Sequence, residues 1–177
     1  MKIRLAQRSD QQAIFQLWQA LMDEQHALDP RFAMAEDAPK RWHNDFSDWV
    51  TSHDLQIWVA EIEGQIVGFI SAMRTFPPPM HQPQSMVYLQ EMYVLPPLRR
   101  QGIGQKLAEA ALSWSRNIGA TQIQMGILAL NKNSLRFWEQ QAAIAFSITA
   151  TISINQNQGE NQGKNQDRNL LEGKSNM

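Results

Sequence analysis

The stretch from Tyr88 to Leu112 constrains this chain most. A run of β-type residues, Met86–Val94, leads into Pro96-Pro97, which end a strand because proline has no N–H to donate. Leu98-Arg99-Arg100-Gln101-Gly102-Ile103-Gly104 comes next, and then Ile103, Leu107, Ala110, Ala111, Trp114 and Ile118 recur at helical spacing until Gly119. The only arrangement that suits all three parts is strand, tight turn, amphipathic helix. At such a turn consecutive backbone N–H groups point into one place at a helix N-terminus and form a concavity of partial positive charge suited to phosphate. Gly102 and Gly104 lack a Cβ and let a phosphate approach, and Arg99 and Arg100 add full charges. A solvated turn with glycines for sterics and arginines for solubility is the plainer reading. The strand before and the helix after favour phosphate.

The common phosphate motifs fail here. Gly104 is followed by Gln105-Lys106 and not by Lys-Ser/Thr, so the Walker pattern is broken. Leu107 stands where the dinucleotide fingerprint needs its third glycine. Composition narrows the field further. Sixteen basic and 17 acidic residues give a net charge of -1, which removes the general electrostatic argument for a nucleic-acid partner. With no cysteine, a disulfide scaffold, a thiol nucleophile and a Cys-based metal site are excluded. No metal site is expected. No apolar run approaches the ~18 residues of a membrane span, and Met1–Asp10 has no apolar stretch like that of a signal peptide. The expectation is a soluble, cytoplasmic protein with no membrane partner.

Around the central segment the patterns change in an orderly way. Lys2–Ala6 alternates like a half-buried strand. Ser9 and Gln12 have capping-box spacing, and Ile14, Leu17, Trp18, Leu21 and Met22 form the apolar face of a helix. Arg31–Lys40 reads as a loop or irregular helix, and Trp42, Phe46, Trp49 and Val50 as a second amphipathic helix. Leu55–Ile62 and Ile66–Ile70 flank Glu63-Gly64, a hairpin turn. Phe76–Pro83 is an exposed proline-rich linker, Thr121–Leu130 a strand, and Ser134–Trp138 opens a last helix. Ile144–Ile154, apolar and β-branched, is read as a final strand. From Asn155 to Met177, Asn and Gln dominate and apolar residues are too few to offset ordering entropy. One folded domain, 1–154, and a disordered tail, 155–177, are expected.

Arg99-Arg100-Gln101-Gly102-Ile103-Gly104 resembles the pyrophosphate loop of the GNAT superfamily of acyl-CoA-dependent N-acetyltransferases. Leu89-Gln90-Glu91-Met92-Tyr93-Val94 is similar to that family's splayed central strand, and Asn131-Lys132-Asn133-Ser134-Leu135-Arg136-Phe137-Trp138 to its later Asn-and-helix motif. The layout of Tyr88–Gly104 is similar to that of diamine acetyltransferases. The resemblance runs from Lys2 to about Phe146. It implies an α/β fold with a mixed, mostly antiparallel sheet and helices on both faces. Acetyl-CoA would be the co-substrate. Backbone groups of Met92 and Val94 would hold the pantetheine arm like an added strand, with Tyr93 between them supporting packing. The amides of Arg100, Gln101, Gly102, Ile103, Gly104 and Gln105, with Arg99 beside them, would bind the pyrophosphate, and Asn131 would hydrogen-bond the CoA arm.

The reaction implied is attack of a primary amine on the thioester, and a protonated amine must first lose a proton. Glu91 is the candidate base, against the plain reading of an ion-paired strand residue. Tyr88 is a second catalytic candidate, acting through a water chain, against simple core packing. His26, with Asp23, Glu24 and Asp29, lies in the expected substrate loop and reads equally well as a solvated helix end. Two departures stand out. Trp138 occupies the place of a tyrosine that protonates the leaving thiolate in many members, and Gln141-Ala142-Ala143 replaces a Gly-aromatic turn. The expected partner is a small-molecule amine, with a protein or peptide amine as the alternative substrate. A non-catalytic acyl-CoA-binding or sensing module is the competing reading. A homodimer is an expectation from the family alone.

Overall fold

The computed structural model describes residues 1–77 and 85–152. The chain divides into a unit of Met1–Ala142 and a second of Ala143–Met177. The first carries a five-stranded sheet in the order β1 (Lys2–Leu5), β2 (Leu55–Ile62), β3 (Gln65–Thr75), β4 (Met86–Val94), β5 (Gln122–Met125). The first three pairings are antiparallel and β4–β5 is parallel, so the sheet is mixed and mostly antiparallel. The hairpin turn forms where expected. Glu63 (φ 50°) and Gly64 (φ 80°) both take positive φ, the twist that a two-residue connection between right-twisted strands requires.

Side-chain alternation sends the two faces to different helices. Ile57, Val59, Phe69 and Tyr93 join one core cluster with α1 (Gln11–Leu28) and α2 (Ala38–Trp49). Between them, Trp58 meets Trp114 of α3 (Ile103–Asn117) edge-on, and Gly68 faces Leu107. Helices therefore cover both faces. Trp18, Trp42 and Trp58 are buried, while Trp49 and Trp114 are partly covered.

Four expectations change in detail. The capping box does not use Ser9 and Gln12. Asp10 instead accepts the Gln7 N–H at 2.8 Å and a bidentate fork from Arg4, and α1 starts after it. The loop before α2 is partly regular: Pro30–Phe32 is a single 3₁₀ turn, and α2 begins at Ala38 with Pro39 in its first turn. The expected strand Thr121–Leu130 pairs only over Gln122–Met125, where β5 ends while β4 runs on to Val94. The expected final strand Ile144–Ile154 is not formed over its described residues. Residues 143–152 contain neither helix nor strand. Alternation gives a segment a strand-like pattern, but a ladder needs a paired neighbour. Most of the proline-rich linker and the whole tail from Asn155 lie outside the described residues. Among the described residues no helix is long and apolar enough to cross a membrane, and no cluster of three His, Asp or Glu side chains is poised for a metal.

Candidate functional site

The site is built where β4 and β5 part. Their pairing runs from Met86↔Gln122 to Leu89↔Met125 and stops. Beyond Leu89, β4 keeps only β3 as a neighbour among the described residues. The Leu95 N–H donates to the Val67 carbonyl at 3.0 Å. In an antiparallel ladder the direction of the amide alternates, so Tyr93 and Glu91 also turn their amides to β3. Those of Met92 and Val94 then point the other way, to the side that β5 has left.

A bulge sets the side chains of the same stretch. Ser71 pairs with Glu91, but the next residue, Ala72, pairs with Leu89, so Gln90 is extra. A bulge breaks alternation and re-aims the side chains beyond it. Glu91 consequently turns to the α1 face, where its Oε1 accepts from Trp18 Nε1 at 2.9 Å. Burial pushes the Glu91 carboxyl above its ordinary value, and the Trp18 hydrogen bond offsets part of that rise. A carboxylate with a raised pKa is better matched to accept a proton near neutral pH.

After β4, Pro96–Leu98 makes one 3₁₀ turn, and Arg100 (φ 66°) and Gly102 (φ 80°) adopt left-handed backbone. A non-glycine residue there costs about 1–2 kcal/mol, and such strain concentrates at functional loops. Gly102 caps α3, and Lys106 is the first residue whose N–H turns back into it, onto Gly102 O at 3.1 Å. The six amides of Arg100–Gln105 have no acceptor among the described residues. They sit at the positive end of a 15-residue helix. A Cβ on Gly102 would meet nothing within 4 Å, so this glycine faces open space. Gly104 differs: its Cβ would lie 3.4 Å from the Phe137 ring, so it serves close packing against α4 (Lys132–Gln140).

Arg99 is tied into the protein. Its Nε donates to Val94 O (2.8 Å), its Nη2 to Glu24 Oε1 (2.7 Å), and it stacks over the Tyr93 ring at 5.0 Å. The same Glu24 oxygen accepts from Tyr93 Oη at 2.9 Å. Burial first, and then Glu24, push the Tyr93 phenol up to about 12, so it keeps its proton. Tyr93 is buried and supports packing. Tyr88 is exposed at 37%, and its hydroxyl lies close against Gly126, just past the end of β5 and outside the core. Asn131 caps α4 by accepting from the Ser134 N–H at 3.0 Å, which leaves its amide nitrogen as the donor it can offer. Trp138 is buried edge-on against Phe137. His26 is exposed on α1 and does not join Glu91.

Two participants escaped sequence reasoning. Trp18 was indistinguishable from the other apolar positions of α1, and Glu24 from the acids around it. Only the crossing of α1 over β4 gives each a specific partner.

Comparison with known proteins gives consistent matches. The family described as "Acetyltransferase (GNAT) family" matches residues 15–143. An uncharacterized N-acetyltransferase of Archaeoglobus fulgidus is 31% identical over 103 residues, 58% of this chain and 69% of that protein. A mouse thialysine N-epsilon-acetyltransferase is 34% identical over 53 residues, 30% of this chain and 31% of its own. Among solved structures, a tetramutant of the BH1408 protein from Bacillus halodurans superposes with a TM-score of 0.77 at 19% identity, covering 87% of this chain and all of that one. An aminoglycoside antibiotic 6'-N-acetyltransferase from Acinetobacter haemolyticus gives a TM-score of 0.69 at 16% identity, with 89% and 100% covered. At these identities the two structures speak for the fold.

Proposed function

The chain belongs to the acetyltransferase (GNAT) family, an acetyl-CoA-dependent acyltransferase family, and on that premise we propose that it acetylates a primary amine of a small molecule. Family membership supports this reading over that of a non-catalytic acyl-CoA-binding module. The observation that carries the proposal is the run of six amides, Arg100–Gln105, unpartnered among the described residues, at the N-terminus of α3 and beside a strand edge left open by β5.

In this reading the pyrophosphate of acetyl-CoA is held by those amides, and the pantetheine arm lies along Met92 and Val94. Asn131 steadies that arm from the start of α4. Arg99 supplies charge near the phosphates while bracing the end of β4. The amine meets the thioester where β4 and β5 part. Glu91 takes a proton from the ammonium, the freed lone pair attacks the carbonyl carbon, and an amide on the Val94 side stabilises the developing oxyanion. The C–S bond then breaks in the ternary complex, and the nitrogen, cationic after the attack, releases its second proton to solvent. Trp138 offers a hydrogen bond but no practical acid, so the thiolate takes its proton from solvent. Tyr88, with its hydroxyl toward Gly126, is kept as a second proton carrier reached through water.

A small amine is favoured because one similar protein is a thialysine acetyltransferase and the fold is shared with aminoglycoside acetyltransferases. The test is thiol release from acetyl-CoA with diamines, lysine analogues, aminoglycosides and short peptides, alongside calorimetry of acetyl-CoA binding. Turnover on a small amine supports the proposal. Turnover on peptides alone moves it to a protein substrate. No acetyl-CoA binding overturns it.

A further inference from the structure

Helix α1 brings one polar atom to the part of the sheet where Glu91 sits. Trp18 is 8% exposed, stacked on Phe15 (ring centroids 5.9 Å apart) and tilted against Trp42 (5.9 Å). Its ring is therefore held by its neighbours. An indole has a single donor, and this one reaches Glu91 Oε1 at 2.9 Å, across 73 positions of sequence. On the other side stands Ser71 of β3, the register partner of Glu91. Directly opposed residues share a face with Cβ atoms about 5 Å apart. Ser71 is 4% exposed, and its hydroxyl has no partner among the described residues. A buried hydroxyl without a partner is costly and invites an explanation.

We propose that Trp18 is a positioning residue for Glu91: its N–H pins Oε1, so that Oε2 takes the proton of the incoming ammonium, with the Ser71 hydroxyl as the second polar group of that proton site. This rests on Glu91 being the base. In the step, an N–H bond of the ammonium breaks and its electron pair stays on nitrogen. An O–H bond forms at Oε2, the same pair attacks the thioester carbon, and the adduct then expels the CoA thiolate while the nitrogen releases its second proton to solvent.

The indole also acts on charge. A hydrogen bond donated to the carboxylate favours the ionised form, whereas burial disfavours it, so Trp18 limits how far burial raises Glu91. The other ionisable groups on the packed elements are Asp23, Glu24 and His26 of α1, Arg74 of β3, and Tyr88 and Tyr93 of β4, while β5 carries none. Of these, Glu24 is taken up by Tyr93 and Arg99. Trp18 is the one hydrogen-bond donor to Glu91 among the described residues.

The test needs no substrate at first. The chain has six tryptophans, so a ¹⁵N-labelled sample gives six resolvable indole N–H signals. The Trp18 signal is assigned by backbone-linked experiments in the full chain and by its loss in Trp18→Phe. It should move downfield as pH rises, with a midpoint above the ordinary carboxylate range, and should stay still in Glu91→Gln. With the fastest amine of the panel, Trp18→Phe should move the acid limb of kcat/KM to higher pH. The expected loss is about tenfold below the limb, with little change above it. A uniform loss at every pH is what a purely structural role would give, and it overturns the proposal. So does a Trp18 signal that does not titrate, or that titrates equally in Glu91→Gln. If Trp18→Phe fails to fold, the wild-type and Glu91→Gln titrations still decide. A titrating signal in an enzyme whose Glu91→Gln variant keeps full turnover overturns Glu91 as the base instead.

Discussion

The two halves of β4 share one run of nine residues but have different neighbours. Met86–Leu89 lies between β3 and β5, and Met86, Val87 and Leu89 are buried there. Glu91–Val94 pairs with β3 alone among the described residues, which leave its other edge open. Both halves mix apolar and aromatic side chains, and Gln90 and Glu91 add polar ones to the second. What separates their backbones is the early end of β5 and one extra residue at Gln90. In the first half the backbone is satisfied by the sheet. In the second, Met92 and Val94 are left with amides to offer, and Glu91 is re-aimed at α1. The site arises from a missing neighbour more than from special side chains.

The contrast between the halves is tested most strongly at Glu91. Glu91→Gln should lower kcat by about 10²–10⁴-fold while acetyl-CoA affinity, measured calorimetrically, stays unchanged. A parallel loss of affinity would mean that Glu91 shapes the strand and does not act on the proton. The same variant has a pH signature. Burial raises Glu91 in the folded state, so its contribution to stability is present at acid pH and fades as pH rises through its folded value. Glu91→Gln should therefore gain stability relative to the wild type as pH rises from the ordinary carboxylate range through the folded value of Glu91, measured by chemical denaturation, and the two should converge in acid.

In the paired half, Val87 is fully buried. Val87→Ala should cost about 2 kcal/mol in denaturant unfolding and leave the acetyl-CoA affinity of the folded protein unaltered. An affinity loss there would mean that the two halves are not separable. Gly102→Ala places a Cβ at φ 80° facing open space, where a phosphate would sit. It should cost about 1–2 kcal/mol of stability and weaken acetyl-CoA about tenfold. The smallest effect belongs to Arg100→Gly, which relieves a φ of 66° but adds freedom to the unfolded chain. Its melting temperature should move by no more than about 1 kcal/mol would produce, with only a modest loss of acetyl-CoA affinity.

Much of the fold is legible in the sequence because it is local. Glu63-Gly64 announces a hairpin, Pro96-Pro97 a strand end, and the stripe from Ile103 to Trp114 a helix. That stripe is legible only in outline: Ala108 and Ser115 are buried beside Ile103, Leu107 and Ala111, while Ala110 and Trp114 sit at its margin. The segment 144–152 shows the reverse case, with strand-like residues and no strand. Propensity describes how a residue fits a ladder, and it cannot supply the neighbour.

The sequence by itself determined the order of elements up to α4, the loop proposed for phosphate and the candidate carboxylate. Each depends on contacts within a few residues, on proline and glycine backbone limits, or on periodicity. Only the tertiary structure decided which of these became a site. It placed a bulge at Gln90, ended β5 at Met125, set Trp18 on Glu91, and joined Glu24, Tyr93 and Arg99. Those depend on which segments become neighbours, and short-range propensity and periodicity do not encode that.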